Sequence, residues 1–285
     1  MTRKVEVLDL GTLNGPVLVF GGAVSNLQAT QALLAEAQRL AIPGERIICT
    51  GDVVAYCADA EATTAALRQA GVRVLMGNCE EALGGDSDDC GCNFAPDSTC
   101  DLLARSWYAH AQRQLSADSK AWMRALPRSI RFTLAGWRLL AVHGAPSDIS
   151  RWIFPSTPAA EKRAEIEAAG VDGVLAGHSG IPFAERVGAG FWVNAGSIGL
   201  PANDGTPRGW YAVLRPDTDG LSVWLNALTF DYKVTMQSMR AADLPADYAA
   251  TLESGLWPSA EILPPRERAS SGPPLAPVHF RADCV

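Results

Sequence analysis

Apolar residues fall mainly into short continuous runs rather than strict alternation. PVLVF (16–20), RIICTGD (46–52), VRVLMGN (72–78), WRLLAVHG (137–144), GVLAGHSG (173–180) and FWVNAGS (191–197) each predict a strand covered on both faces. Between the first two, Leu27, Leu33, Leu34, Ala37 and Leu40 recur on one face at helical spacing, and residues 60–70, 101–126 and 159–169 carry helical patterns. YAVLR (211–215) and LSVWL (221–225) follow with no long helix between them, which predicts an antiparallel hairpin. Strands alternating with helices and then a strand-rich end predict a layered α/β protein.

Two segments interrupt this pattern. Residues 84–100, GGDSDDCGCNFAPDSTC, are small, acidic and rich in turn formers, and predict a loop insertion carrying three Cys. Its acidic residues Asp86, Asp88 and Asp89 read as a solvated face. After Trp257, six prolines in a polar background predict an extended or disordered tail over 258–285. The expected organisation is one domain over 1–257 followed by that tail.

Composition narrows the function classes. With 48% hydrophobic and 19% charged residues in 285, the chain is globular rather than wholly disordered. A formal charge of −7 gives no footprint for a phosphate backbone, so nucleic acid is not an expected partner. No run approaches the ~20 apolar residues needed to span a bilayer, and the first 20 residues lack an apolar signal core, so the expected compartment is the cytoplasm. There the seven Cys (49, 57, 79, 90, 92, 100 and 284) are expected to be reduced, with metal binding or reactive thiols favoured over a disulfide framework.

Candidate chemistry lies where the strands stop. Four runs end in a Gly beside a polar residue: Gly51-Asp52, Gly77-Asn78, His143-Gly144 and Gly177-His178. Ligand sites of open α/β sheets lie outside the carboxyl ends of the strands, so these side chains can converge. Singly, such pairs are turns or core histidines. Together, one carboxylate, one amide oxygen and two imidazoles form a set suited to Zn, Fe, Mn or Ni. Only four His occur, and two of them stand at these strand ends, whereas His110 is expected to be structural. Arg151 and Trp152, just beyond His143, can face a substrate, although an ion pair is the expected role of Arg151.

The order GD, GN-x-E, HG, GH and N-x-GS-x-G-x-P, carried by GDVVAYCAD (51–59), GNCEEAL (77–83), VHGAP (142–146), GHSGIPF (177–183) and NAGSIGLP (194–201), resembles the calcineurin-like metallophosphoesterases, in particular their small bacterial phosphoesterase branch. The resemblance covers about residues 15–230. It implies a four-layer αββα sandwich and a two-metal site hydrolysing a phosphoester with a bridging hydroxide. Where the family has D-x-H-G-N, this chain has Gly22, Ala23, Val24, Ser25 and Asn26, and its GHxH motif ends in Gly180. By that alignment one metal loses its exclusive ligands and the other keeps Asp52, Asn78, His143 and His178. Cys79 stands where the family has its general-acid His, and Asn26 is expected to position phosphate.

The cysteines admit several readings. Cys79, Cys90, Cys92 and Cys100 can form a thiolate set for zinc, although their spacing matches no standard signature. Cys57 and Cys79 can instead build a softer second site for iron, zinc or copper. Small buried residues without ligand duty are the simplest alternative. The expected function is a metal-dependent phosphoesterase with one divalent ion and a small phosphorylated substrate. A non-hydrolytic metal- or nucleotide-binding protein, and a thiolate-based redox site on the same scaffold, are the alternatives.

Overall fold

The structure is a computed structural model that describes residues 7–92, 94–218 and 220–283. In chain order its elements are β1 (Val7–Thr12), β2 (Val17–Phe20), α1 (Leu27–Arg39), β3 (Ile47–Cys49), α2 (Ala60–Gln69), β4 (Arg73–Val74), α3 (Asn78–Gly84), α4 (Thr99–Gln114), α5 (Ala117–Arg124), β5 (Ser129–Leu134), β6 (Trp137–Ala141), α6 (Ala159–Ala169), β7 (Gly173–Ala176), β8 (Phe183–Val187), β9 (Gly190–Asn194), β10 (Gly209–Asp217), β11 (Gly220–Leu228), α7 (Tyr232–Ala241), α8 (Ala246–Ser254), α9 (Pro265–Ala269) and β12 (Val278–Asp283). They form two six-stranded sheets, ordered β1-β5-β6-β7-β9-β8 and β12-β11-β10-β2-β3-β4.

Side-chain alternation within the apolar runs produces the layers. In β2, Val17 and Val19 enter the core between the sheets, while Leu18 and Phe20 face a helical layer. In β6 and β7, Leu139, Ala141 and Leu175 point to the inter-sheet core, and Leu140, Val174 and Ala176 pack on the other side beneath α6 through Ile166. These strands therefore bury both faces, which is why their sequences read as mainly apolar. The result is the expected αββα sandwich, with α6 over one sheet and the remaining large helices over the other. Truncating a fully buried residue between the sheets, such as Leu175, to Ala is expected to cost about 2–5 kcal/mol.

The expected hairpin is β10 and β11, antiparallel from Gly209↔Leu228 to Asp217↔Gly220. The helical stretch 101–126 divides at Leu115, because Ser116 caps α5 by accepting the Ser119 N–H at 3.1 Å. The segment from residue 258, expected to be an extended or disordered tail, contains regular elements among its described residues. That segment forms α9, and β12 pairs antiparallel with β11 from Leu225↔Val278 to Gly220↔Asp283. The prolines end at Pro277, so every residue of β12 keeps its N–H, and Ala282 is fully buried. Cys284, expected in the tail, lies outside the described residues.

Candidate metal centre

Each candidate ligand sits two or three residues beyond a strand, or at the first position of a helix, on the same rim of the sandwich. Asp52 follows β3, Asn78 opens α3, and His143 and His178 follow β6 and β7. Asp52 and His178 adopt left-handed backbone, with φ of 54° and 58°. This conformation is uncommon for residues with a side chain, and it turns each away from its strand direction. Gly51 is required beside them: a Cβ there would stand 2.6 Å from the Gly77 nitrogen and 2.9 Å from His143 Nδ1.

His143 is the hub. Its Nδ1 lies 2.7 Å from the Thr50 carbonyl oxygen, which can only accept. The proton therefore belongs on Nδ1, and Nε2 presents a lone pair. Facing Nε2 are Asn78 Oδ1 at 2.8 Å, His178 Nδ1 at 3.0 Å and Asp52 Oδ2 at 3.4 Å. The amide of Asn78 is oriented in the same way. Its Nδ2 donates to the Cys90 carbonyl at 2.9 Å and to Cys92 Sγ at 3.2 Å, which leaves Oδ1 for the cleft. Electron-rich atoms from four loops thus point at one another, an arrangement that needs a cation or a proton between them. Among the described residues, Asp52, His143 and His178 form the group whose ligand atoms all lie within 4.8 Å of one another. This donor set fits a divalent transition metal.

The electrostatics agree. Burial raises the Asp52 carboxyl, but the charges of His143 and His178 outweigh it and hold the group down to about 2. Burial depresses His143, yet Asp52 and the Thr50 carbonyl prevail and the net shift is upward. His178 falls to about 3, from burial first and then from repulsion by His143. Its Nε2 is buried without a hydrogen-bond partner.

Glu80 was not singled out as a site residue by the sequence analysis. It is fully buried, and its carboxylate accepts the N–H groups of Asp52 (2.8 Å), Val53 (2.8 Å), Val54 (3.3 Å) and Gly77 (3.0 Å). One side chain therefore clamps the Asp52 loop to the start of α3. Burial, and then the Asp52 charge, pushes its carboxyl up to about 7. The available signal was the Glu of GN-x-E, at the third position of a helix whose Gly cap has no side chain.

Other candidates are placed differently. Asn26 is fully buried and caps α1: its Oδ1 accepts from Ala29 N–H and Thr235 hydroxyl, both at 3.0 Å, and its Nδ2 donates to the Gly199 carbonyl at 2.9 Å. Those bonds tie α1 to the 199 loop and α7 rather than reaching for a ligand. Cys79 is buried, and its N–H donates to Asp52 Oδ1 at 3.4 Å. A hydrogen bond with Cys92 favours its thiolate, but burial and the neighbouring Asp52, Cys90 and Glu80 charges leave the thiol well above its ordinary value. Cys79, Cys90 and Cys92 surround the Asn78 amide. Cys100 is instead beside Ser259, and Cys57 is buried near Asp59; among the described residues the group of three placed to hold a metal is Asp52, His143 and His178, with no Cys in it. His110 is structural, at 3.0 Å from the Ala58 carbonyl. Arg151 pairs with Glu161 and Glu165 at 2.6 and 2.5 Å.

Gly22, Val24 and Gly180 line a partly enclosed cavity next to Asp52 and His178. A Cβ on Gly180 would meet the Trp257 indole at 3.5 Å. Val24 keeps a φ of 44°, unusual for a β-branched residue, because its N–H donates to the Asp52 carbonyl and its own carbonyl accepts from Cys57. The loop that would carry an Asp and a His retains a turned backbone without either ligand.

Comparison with known proteins places this geometry. A hypothetical protein from Pyrococcus horikoshii OT3 superposes with a TM-score of 0.70 at 18% identity, covering 85% of this chain and 99% of that one. A metallophosphoesterase from Sphaerobacter thermophilus superposes with a TM-score of 0.65 at 22% identity, again over 85% and 99%. At those identities the likeness establishes the fold. No curated protein matches the sequence. The profile of the calcineurin-like phosphoesterase superfamily domain matches residues 23–219, and the chain belongs to that superfamily.

Proposed function

We propose that the protein is a metal-dependent phosphoesterase-like hydrolase, holding one divalent transition-metal ion, Zn, Fe, Mn or Ni, through Asp52, Asn78, His143 and His178, and acting on a small phosphorylated molecule. The observation that carries this reading is the convergence of acceptor atoms around His143 Nε2, fixed from behind by the Thr50 and Cys90 carbonyls. A bound ion supplies Lewis acidity toward a phosphoryl oxygen and lowers the pKa of a coordinated water toward neutrality. The protein's part is orientation. Thr50 sets the His143 tautomer, Cys90 sets the Asn78 amide, and Glu80 holds the loop that carries Asp52. Such outer partners are commonly worth 10–100-fold in metal affinity.

The test is elemental analysis of protein purified without added metal or affinity nickel, joined to a phosphate-release panel. About one ion per chain, lost in His143→Ala and His178→Ala together with any turnover, is the expected result. Turnover that survives both substitutions would sink the reading. A second reading, a metal- or nucleotide-binding protein without turnover, is favoured by Gly22, Val24 and Gly180 in place of the second ion's ligands. It predicts a retained ion and no hydrolysis across mono- and diesters.

A further inference from the structure

The half of the cleft that lacks ligands is walled by rings. Its cavity of about 80 Å³ is several times the ~10–15 Å³ one water needs, and it opens directly beside Asp52 and His178. Trp152 lies against the His178 ring, 3.9 Å between centroids. On another side stands Trp257, fixed by its indole N–H donating to the Pro201 carbonyl at 2.7 Å and its backbone N–H donating to Asn203 Oδ1 at 2.8 Å. Tyr56 and Tyr248 pack together at 4.8 Å and also line the space. These walls are held by contacts of their own, so an incoming ring meets a formed slot.

The charge of the cavity is equally specific. Among the described residues that line it, Asp52 is the acidic group and there is no Lys or Arg. Arg151, next to Trp152 in the chain, is committed to Glu161 and Glu165. A dianionic phosphate would have to be neutralised by one ion already shared with Asp52, with no side-chain cation to assist. A single negative charge makes a smaller demand. Aromatic walls favour a flat π-system, which stacks on them without needing a cation.

We infer that this cavity binds the planar aromatic arm of a phosphoester bearing one negative charge, and that Trp257 and Trp152 are its specificity-determining walls. The inference rests on the metal-phosphoester reading of Asp52, Asn78, His143 and His178 and deepens it. Where the second ion's ligands are missing, the chain supplies recognition of the ester arm.

Calorimetric titration of manganese-loaded protein with three phosphorus acids that hold their organic groups only through P–C bonds, and so have no ester bond to cleave, tests it. Methyl(phenyl)phosphinate carries a ring and one charge, dimethylphosphinate the same charge without a ring, and phenylphosphonate at pH 8.5 a ring and two charges. The phenyl phosphinate is expected to bind about tenfold or more tighter than the dimethyl compound, and tighter than the dianion. Trp257→Leu and the cavity-filling Leu200→Trp, neither touching a proposed ligand, should each erase most of the ring preference while leaving dimethylphosphinate within about threefold. Equal binding of the two phosphinates overturns the inference and leaves the metal site standing. Tighter binding of the dianion overturns its charge component. Ring binding that persists in metal-depleted His178→Ala and vanishes in Leu200→Trp upholds the pocket and overturns the phosphoesterase reading. No binding of either phosphinate to metal-replete protein overturns both.

Discussion

The two halves of the cleft are built from the same rim of the same sheets, yet they solve different problems. On one side, Asp52, Asn78 and His143 are each held by a second residue, and their free atoms meet His178 around one point. On the other, Gly22, Val24 and Gly180 offer no donor, and indole, phenol and proline rings fill the wall. Backbone geometry is shared across both halves, since Val24 and Gly180 hold the same kind of left-handed turn as Asp52 and His178. The same kind of turn at the rim thus carries polar side chains in one half of the cleft and lines a ring-walled cavity in the other.

The largest effect separating the halves should come from removing the hub. His143→Ala is expected to abolish metal retention, a loss of at least about 100-fold measured by competitive chelator titration, because Asp52, Asn78 and His178 are left without their common neighbour. An unchanged metal content would contradict the assignment of the loaded half. Next comes Glu80→Gln. One carboxylate oxygen becomes an NH₂ facing backbone N–H groups that now have no acceptor, so metal affinity should fall about 10–100-fold and stability by about 2–4 kcal/mol in urea unfolding.

A third test uses pH on metal-free protein. The folded-state pKa of His178 is depressed to about 3, so between that value and the ordinary ~6.5 the unfolded chain binds more protons. Its contribution to stability is thus fully present above about 6.5 and is lost as the pH falls toward 3. Because the ring is only partly enclosed, wild type should lose about 1–3 kcal/mol relative to His178→Asn across that window. Parallel curves would show that burial does not hold this imidazole neutral. The smallest effect belongs to the insertion. Cys92→Ser keeps an acceptor beside the Asn78 amide, whose main partner is the Cys90 carbonyl, so metal affinity should stay within about threefold. A loss as large as that of His143→Ala would restore thiolate ligation as a live reading.

The convergence of Asp52, Asn78, His143 and His178 was largely legible in the sequence, because each follows an apolar run and stands beside Gly, so position along the chain implied position at the rim. Glu80 was visible in GN-x-E, but its task is to bind backbone N–H groups of a loop 26 to 28 residues away, which no local pattern encodes. Asn26 matched a family motif, yet it caps α1 and its amide is turned toward α7 and the 199 loop, contacts far along the chain that the motif does not encode. The aromatic half was nearly illegible. Trp257 marked only a change in composition, and its place opposite Gly180 arises from tertiary contacts with Pro201 and Asn203. Proline content likewise concealed β12, whose pairing with β11 depends on just the residues beyond Pro277.

The wall at Trp257 and the strand β12 both lie downstream of every proposed ligand in the chain. During synthesis, which proceeds from the N-terminus, Asp52, Asn78, His143 and His178 emerge before the segment that encloses the neighbouring cavity does. On the proposed roles, the residues that would hold the ion are all made before Trp257, the residue that would complete the wall facing the ester arm.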